Sequence, residues 1–101
     1  MRGKYEFENN QEREFWINLI EGDIDMLESN EIDEISYTNA DISPALLAEA
    51  LEALGYGEDG REYHKTYFFI NFSNLETGKH LYIYADSLTF DLALCRGEDE
   101  E

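Results

Sequence analysis

The side chains able to do chemistry are few and scattered. His64 and His80 are the only histidines, Cys95 is the only cysteine, and Ser87 has no base at a recognisable spacing. Nucleophilic catalysis needs a nucleophile within hydrogen-bond reach of a base that a third group orients, and no Gly-rich phosphate loop is present. His80 and Cys95 approach each other if the last two apolar stretches pair as strands, but a structural zinc takes four ligands and only an acid is left to help. Asp23 and Asp25 begin like a calcium loop, yet the fifth position is Leu27 and the sixth is not glycine. The expectation is a protein without catalysis, cofactor or metal.

Carboxylates are the chemistry that remains. The stretch EGDIDMLESNEIDE carries Glu21, Asp23, Asp25, Glu28, Glu31, Asp33 and Glu34, and no lysine or arginine occurs between Arg13 and Arg61. Two acids act as general acid and base only where a cleft separates their pKa values, which exposed helix positions do not do. They can instead face cations. Glu14, Asn18, Glu21, Asp25 and Glu28 fall on one side of a helix, where neighbours sit about 5–6 Å apart. Glu31, Asp33 and Glu34 follow in a segment whose alternate side chains, if extended, are about 6.6 Å apart. Duplex DNA carries one charge per roughly 3.4 Å along each strand. A solvated helix face usually alternates its signs; this one forgoes every such pair.

The whole chain agrees with that emphasis. It has 101 residues and a net charge of -17, with 43% hydrophobic and 14% aromatic residues. Disordered acidic chains are poor in aromatics, so one globular domain over 1–101 is expected. The charge excludes direct binding to nucleic acid or an anionic membrane, both of which need lysine and arginine. It favours a basic protein partner. A lone cysteine, with neither a signal-peptide core nor a membrane-length apolar run, makes the cytoplasm the expected compartment.

The positioning elements follow from periodicity. Phe15, Trp16, Leu19, Ile20, Ile24 and Leu27 predict a helix over about 10–28, with a kink or restart near Gly22 where Asp23 serves as N-cap. Ser43, Pro44 and Gly55 bracket a second helix over 44–54, with Ile42 stapling onto Leu47. Residues 1–8 and 35–38 offer short strands, and GYGEDGRE reads as a loop. Three strands follow between 63 and 95. A loop centred between Leu75 and Glu76 pairs position i with 151 − i. One face then holds Phe68, Ile70, Phe72, Leu81, Ile83, Phe90 and Leu92; the other holds Tyr67, Phe69, Asn71, His80, Tyr82, Tyr84 and Asp91. The expected fold is α+β, two helices in a single layer on a three-stranded antiparallel meander, with 96–101 a flexible acidic tail. Whether a helix covers the tyrosine face or leaves it open for contact stays undecided.

In charge, size and the 21–34 run, the chain resembles the small acidic DNA-mimic inhibitors of phages and mobile elements, including anti-CRISPR and anti-restriction proteins. The resemblance implies an inhibitor acting by protein–protein interaction in the host cytoplasm. It would occlude the basic surface of a nuclease or defence-complex subunit. The candidate contact residues are Glu14, Glu21, Asp25, Glu28, Glu31, Asp33 and Glu34, with Tyr82 and Tyr84 as anchors. An immunity or antitoxin protein that plugs a basic nuclease toxin is the alternative, and a non-inhibitory adaptor domain a third. A mimic lays its acids along a ridge; a plug gathers two or three beside tyrosines.

Overall fold

Asn9 decides where the first helix begins. Its extended backbone lets Oδ1 accept from the Glu12 N–H at 2.9 Å, while the Glu12 carboxylate reaches back to the Glu8 N–H at 3.1 Å. This reciprocal cap starts α1, Asn10–Glu28. The computed structural model describes residues 7–29, 31–38 and 42–97. The helix does not restart at Gly22–Asp23, because one mid-helix glycine costs only about 1 kcal/mol and does not interrupt the backbone ladder. The buried stripe of α1 is narrower than its spacing predicts. Ile20, Ile24 and Leu27 are buried, whereas Phe15 and Leu19 are 60% and 42% exposed.

The second helix, α2 (Pro44–Ala53), starts where expected: the Ser43 Oγ accepts from the Leu46 N–H at 3.3 Å. Ile42 and Leu47 are both fully buried in one core. Gly55, with φ of 99°, adopts the left-handed conformation that follows a helix end.

Five strands complete the fold: β1 (Glu34–Thr38), β2 (Gly57–Tyr63), β3 (Tyr67–Asn74), β4 (Lys79–Asp86) and β5 (Asp91–Arg96). They form one antiparallel sheet in the order β1-β5-β4-β3-β2. The α+β class and the single layer of helices agree with expectation, but the meander gains a strand at each edge. Residues 35–38 do form a strand, joined by Glu34. The supposed loop GYGEDGRE is mostly β2, correcting the sequence reading. An edge strand exposed along its whole length needs no apolar alternation. It is recruited by pairing with β3 across a bulge between Glu58 and Gly60, where Gly60 has φ of 138°.

The β3–β4 register is two residues from the expected one: Phe72 faces Leu81, and Tyr67 faces Asp86. The Asn74 Oδ1 accepts from the N–H groups of Glu76 and Thr77, and the Gly78 N–H closes onto the Asn74 carbonyl at 2.8 Å. Because side chains alternate with period two, an even shift leaves each on its expected face. Ile70, Phe72, Leu81, Ile83, Leu92 and Leu94 therefore meet the helices in one core. Phe90 does not join them. Its φ of 60° takes it out of the strand alternation, and its side chain is 69% exposed.

Residues 96 and 97 are not part of a tail. Arg96 ends β5, and the Gly97 N–H donates to the His80 carbonyl at 2.9 Å. Residues 98–101, and residues 1–6 of the strand expected near the N-terminus, lie outside the described residues. No helix among the described residues is long and apolar enough to cross a membrane.

Candidate partner-binding site

The acids expected to act together are distributed over three places. Glu14, Glu21 and Asp25 line the exposed side of α1 with Asn18 between them. At 1.5 Å of rise per residue they cover roughly 16 Å of helix axis. No ion pair engages them among the described residues, since each described arginine is matched elsewhere. Arg13 meets Glu49 at 3.1 Å, Arg61 meets Glu58 at 2.9 Å, and Arg96 meets Asp33.

Glu28 departs from the ridge. It is half-buried and accepts a hydrogen bond from the hydroxyl of Tyr56, itself a buried core residue. An acid in the last turn faces the negative end of the helix dipole, and the Tyr56 donor offsets that. Asp33 is also occupied, because Arg96 binds both its carboxylate and the Ile32 carbonyl. The expected absence of any cation partner from Glu14 to Glu34 is therefore corrected at Asp33; an arginine far away in sequence returns to it through the β1–β5 pairing. Glu31 is exposed in the connection between α1 and β1. Asp23 is turned inward, where its Oδ2 accepts from the Tyr37 hydroxyl at 2.6 Å.

Glu34 belongs with the tyrosines. Strand alternation puts it on the sheet face opposite the helices, where it lies directly across from Cys95, beside Tyr82. Among the described residues no helix covers that face. Its floor is a run of rings: Tyr67 against Phe69 and Tyr84, and Phe69 against Tyr82 at 5.5 Å, edge to face. His64 stacks on Tyr67 at 4.5 Å and bonds Glu62 through Nε2 at 2.7 Å. Carboxylates surround these rings. Glu62 is opposite Phe69, and the Tyr84 hydroxyl donates to Asp86 at 2.9 Å. Asp91 and Glu34 sit on the neighbouring strands. A depression of about 250 Å³ opens between Glu62, Phe69, Asn71 and Tyr82. Gly60 faces Asn71 across β2–β3 and supplies no side chain to fill it.

The electrostatics of this face follow from its contacts. Burial, then the neighbouring Cys95 and Glu34, push the Tyr82 hydroxyl above its ordinary pKa. The bond to Asp86 raises Tyr84. Asp86 is held below the usual carboxylate value by the N–H groups of Thr89 and Leu88, then by Tyr84. Burial raises the Cys95 thiol, which a hydrogen bond with Tyr82 partly opposes. Tyr82 and Tyr84 therefore stay neutral donors and Asp86 stays charged.

His80 and Cys95 share the open face, but no group of three or more His, Cys, Asp or Glu among the described residues is placed to hold a metal ion. The Ser87 Oγ donates to the Thr66 carbonyl at 2.8 Å. Sequence reasoning missed Glu62, His64 and Asp86 as neighbours of the tyrosines. Two of them border an edge strand that reads as a loop, and Asp86 reads as part of a turn. Comparison with protein-family models, curated proteins and solved structures returned no match.

Proposed function

We propose that the protein is a small acidic inhibitor that occupies the basic surface of a nucleic-acid-handling protein in place of phosphates. One observation carries this reading: among the described residues Glu14, Glu21 and Asp25 form a ridge without an ion pair, while every described arginine is matched to an acid elsewhere. Glu21 and Asp25, four residues apart on the helix, repel at a cost of about 0.2–0.5 kcal/mol in the isolated protein. A cationic partner turns that cost into attraction and accelerates encounter. Glu31, exposed in the connection beyond the helix, adds charge outside the ridge; Glu28 and Asp33, already engaged, add field more than contact.

The test is displacement of labelled duplex DNA or RNA from purified basic enzymes: a restriction nuclease, an RNA-guided effector and a nuclease toxin. Wild type displaces the nucleic acid from its target, less effectively as salt rises, because exposed charges are screened beyond about 8 Å at physiological ionic strength. The variant with Glu14, Glu21 and Asp25 all changed to Lys folds but does not displace. Equal displacement by both would sink the ridge as the contact surface.

A second reading has its own observation. Glu34, Glu62, Asp86 and Asp91 gather around Tyr82 and Tyr84, the grouping expected of an immunity-type plug. The ridge and this face lie on opposite sides of the sheet, so one flat partner cannot use both. Loss of inhibition in Tyr82→Ala and Tyr84→Ala, with the ridge triple variant unaffected, selects the plug.

A further inference from the structure

We infer that the depression on the open sheet face is a receptor for an arginine side chain of a protein partner. The inference rests on the proposed function only in taking the partner to be basic; the surface is separate from the α1 ridge.

Three features point to a guanidinium. First, the depression measures about 250 Å³, below the roughly 300–1,000 Å³ of small-molecule sites. It suits one side chain. Second, its walls are Phe69 and Tyr82, edge to face at 5.5 Å. Their rings offer a π surface to a cation, and a planar guanidinium stacks there where an ammonium cannot. Third, the other two residues that line it are polar, Glu62 and Asn71, so acceptor-bearing residues stand beside the rings. A carboxylate takes a guanidinium through two parallel hydrogen bonds.

Gly60 sits opposite Asn71 with φ of 138°, a conformation that L side chains rarely adopt. The long-range field agrees. Glu34, Glu62, Asp86 and Asp91 share this face, and no lysine or arginine occupies a strand position on it among the described residues. His64 bonds Glu62 through Nε2 and so fixes the orientation of that carboxylate.

The experiment is a titration of 15N-labelled protein with an acetylated, amidated peptide carrying one arginine among glycines, beside the same peptide with lysine or citrulline. Arginine should shift the Asn71 side-chain amide and the backbone amides of Glu62, Phe69 and Tyr82. Lysine should bind about tenfold more weakly and citrulline not measurably, since losing the bidentate charged pair removes about that factor. Glu62→Gln should weaken the arginine peptide by a similar factor. Asn71→Arg, at an exposed position, fills the depression with the chain's own guanidinium and should abolish the shifts while the rest of the spectrum is unchanged. Equal binding of the lysine and arginine peptides, or shifts centred on Glu14, Glu21 and Asp25, overturns the proposal and leaves only general charge attraction. Retention of DNA displacement in Asn71→Arg separates this site from the ridge, whichever way the peptides behave.

Discussion

The Tyr37 hydroxyl donates to the Asp23 Oδ2 at 2.6 Å, so the edge strand β1 is tied to the C-terminal half of α1 by a partly buried bond. Burial first, then the bond to Asp23, raises the Tyr37 pKa well above its ordinary 10.0. Tyr37→Phe should destabilise the protein by about 1–2 kcal/mol, because Asp23 loses its donor without returning fully to water. A raised folded pKa means the contribution is complete below pH 10 and lost as pH climbs above it. Urea midpoints at pH 7 and pH 11 check both parts: the gap between wild type and variant should narrow at the higher pH.

Asp86 holds the turn between β4 and β5, accepting from the Leu88 and Thr89 N–H groups at 2.8 and 3.1 Å and from Tyr84. Its pKa is lowered on folding, so its contribution is present above the ordinary value of 3.8 and fades as pH falls through the lower folded value. Asp86→Ala should melt below wild type at pH 7. The two melting temperatures should converge below about pH 4. A gap that stays constant down to pH 2.5 would contradict the assignment.

Gly22 is exposed in the interior of α1, and a Cβ built on it meets nothing within 4 Å. Gly22→Ala should stabilise by about 0.5–1 kcal/mol. For a domain this size that raises the melting temperature by a few degrees, up to about 8 °C. Calorimetry decides it; a lower melting temperature would mean that α1 needs the glycine.

Cys95 is buried beside Tyr82, and its thiol is shifted upward by that burial. Thiol reagents attack the thiolate. A chromogenic disulfide should therefore label native protein at pH 7 at least about tenfold more slowly than protein in 6 M urea. Equal rates would show that the sheet opens readily around β5, between β1 and β4.

The fold was legible where residues pack against each other and illegible where they do not. Ser43, Pro44 and Gly55 announced α2 because caps are local chemistry. Phe72 and Leu81 found the correct face despite a misplaced loop, because face depends only on parity. The β2 strand was not legible: Gly57–Tyr63 is polar throughout and owes its extended form to the neighbouring β3. The candidate site divides the same way. Glu14, Glu21 and Asp25 were readable as a ridge from helical spacing alone. Glu28 was not, because its partner Tyr56 is brought close by the whole fold. Neither was the Arg96–Asp33 pair, which joins positions far apart in sequence.

The order of the sheet has a consequence for how the protein is made. The strands β2 to β5 each pair with the next along the chain, by hairpins that close locally. The strand β1 has one ladder partner, and it is β5. That ladder joins residues 34–38 to residues 91–95, the widest sequence separation of any strand pair in the sheet. The strand β1 can therefore dock only once the rest of the chain has been made, and closing this ladder carries the largest loop-closure cost.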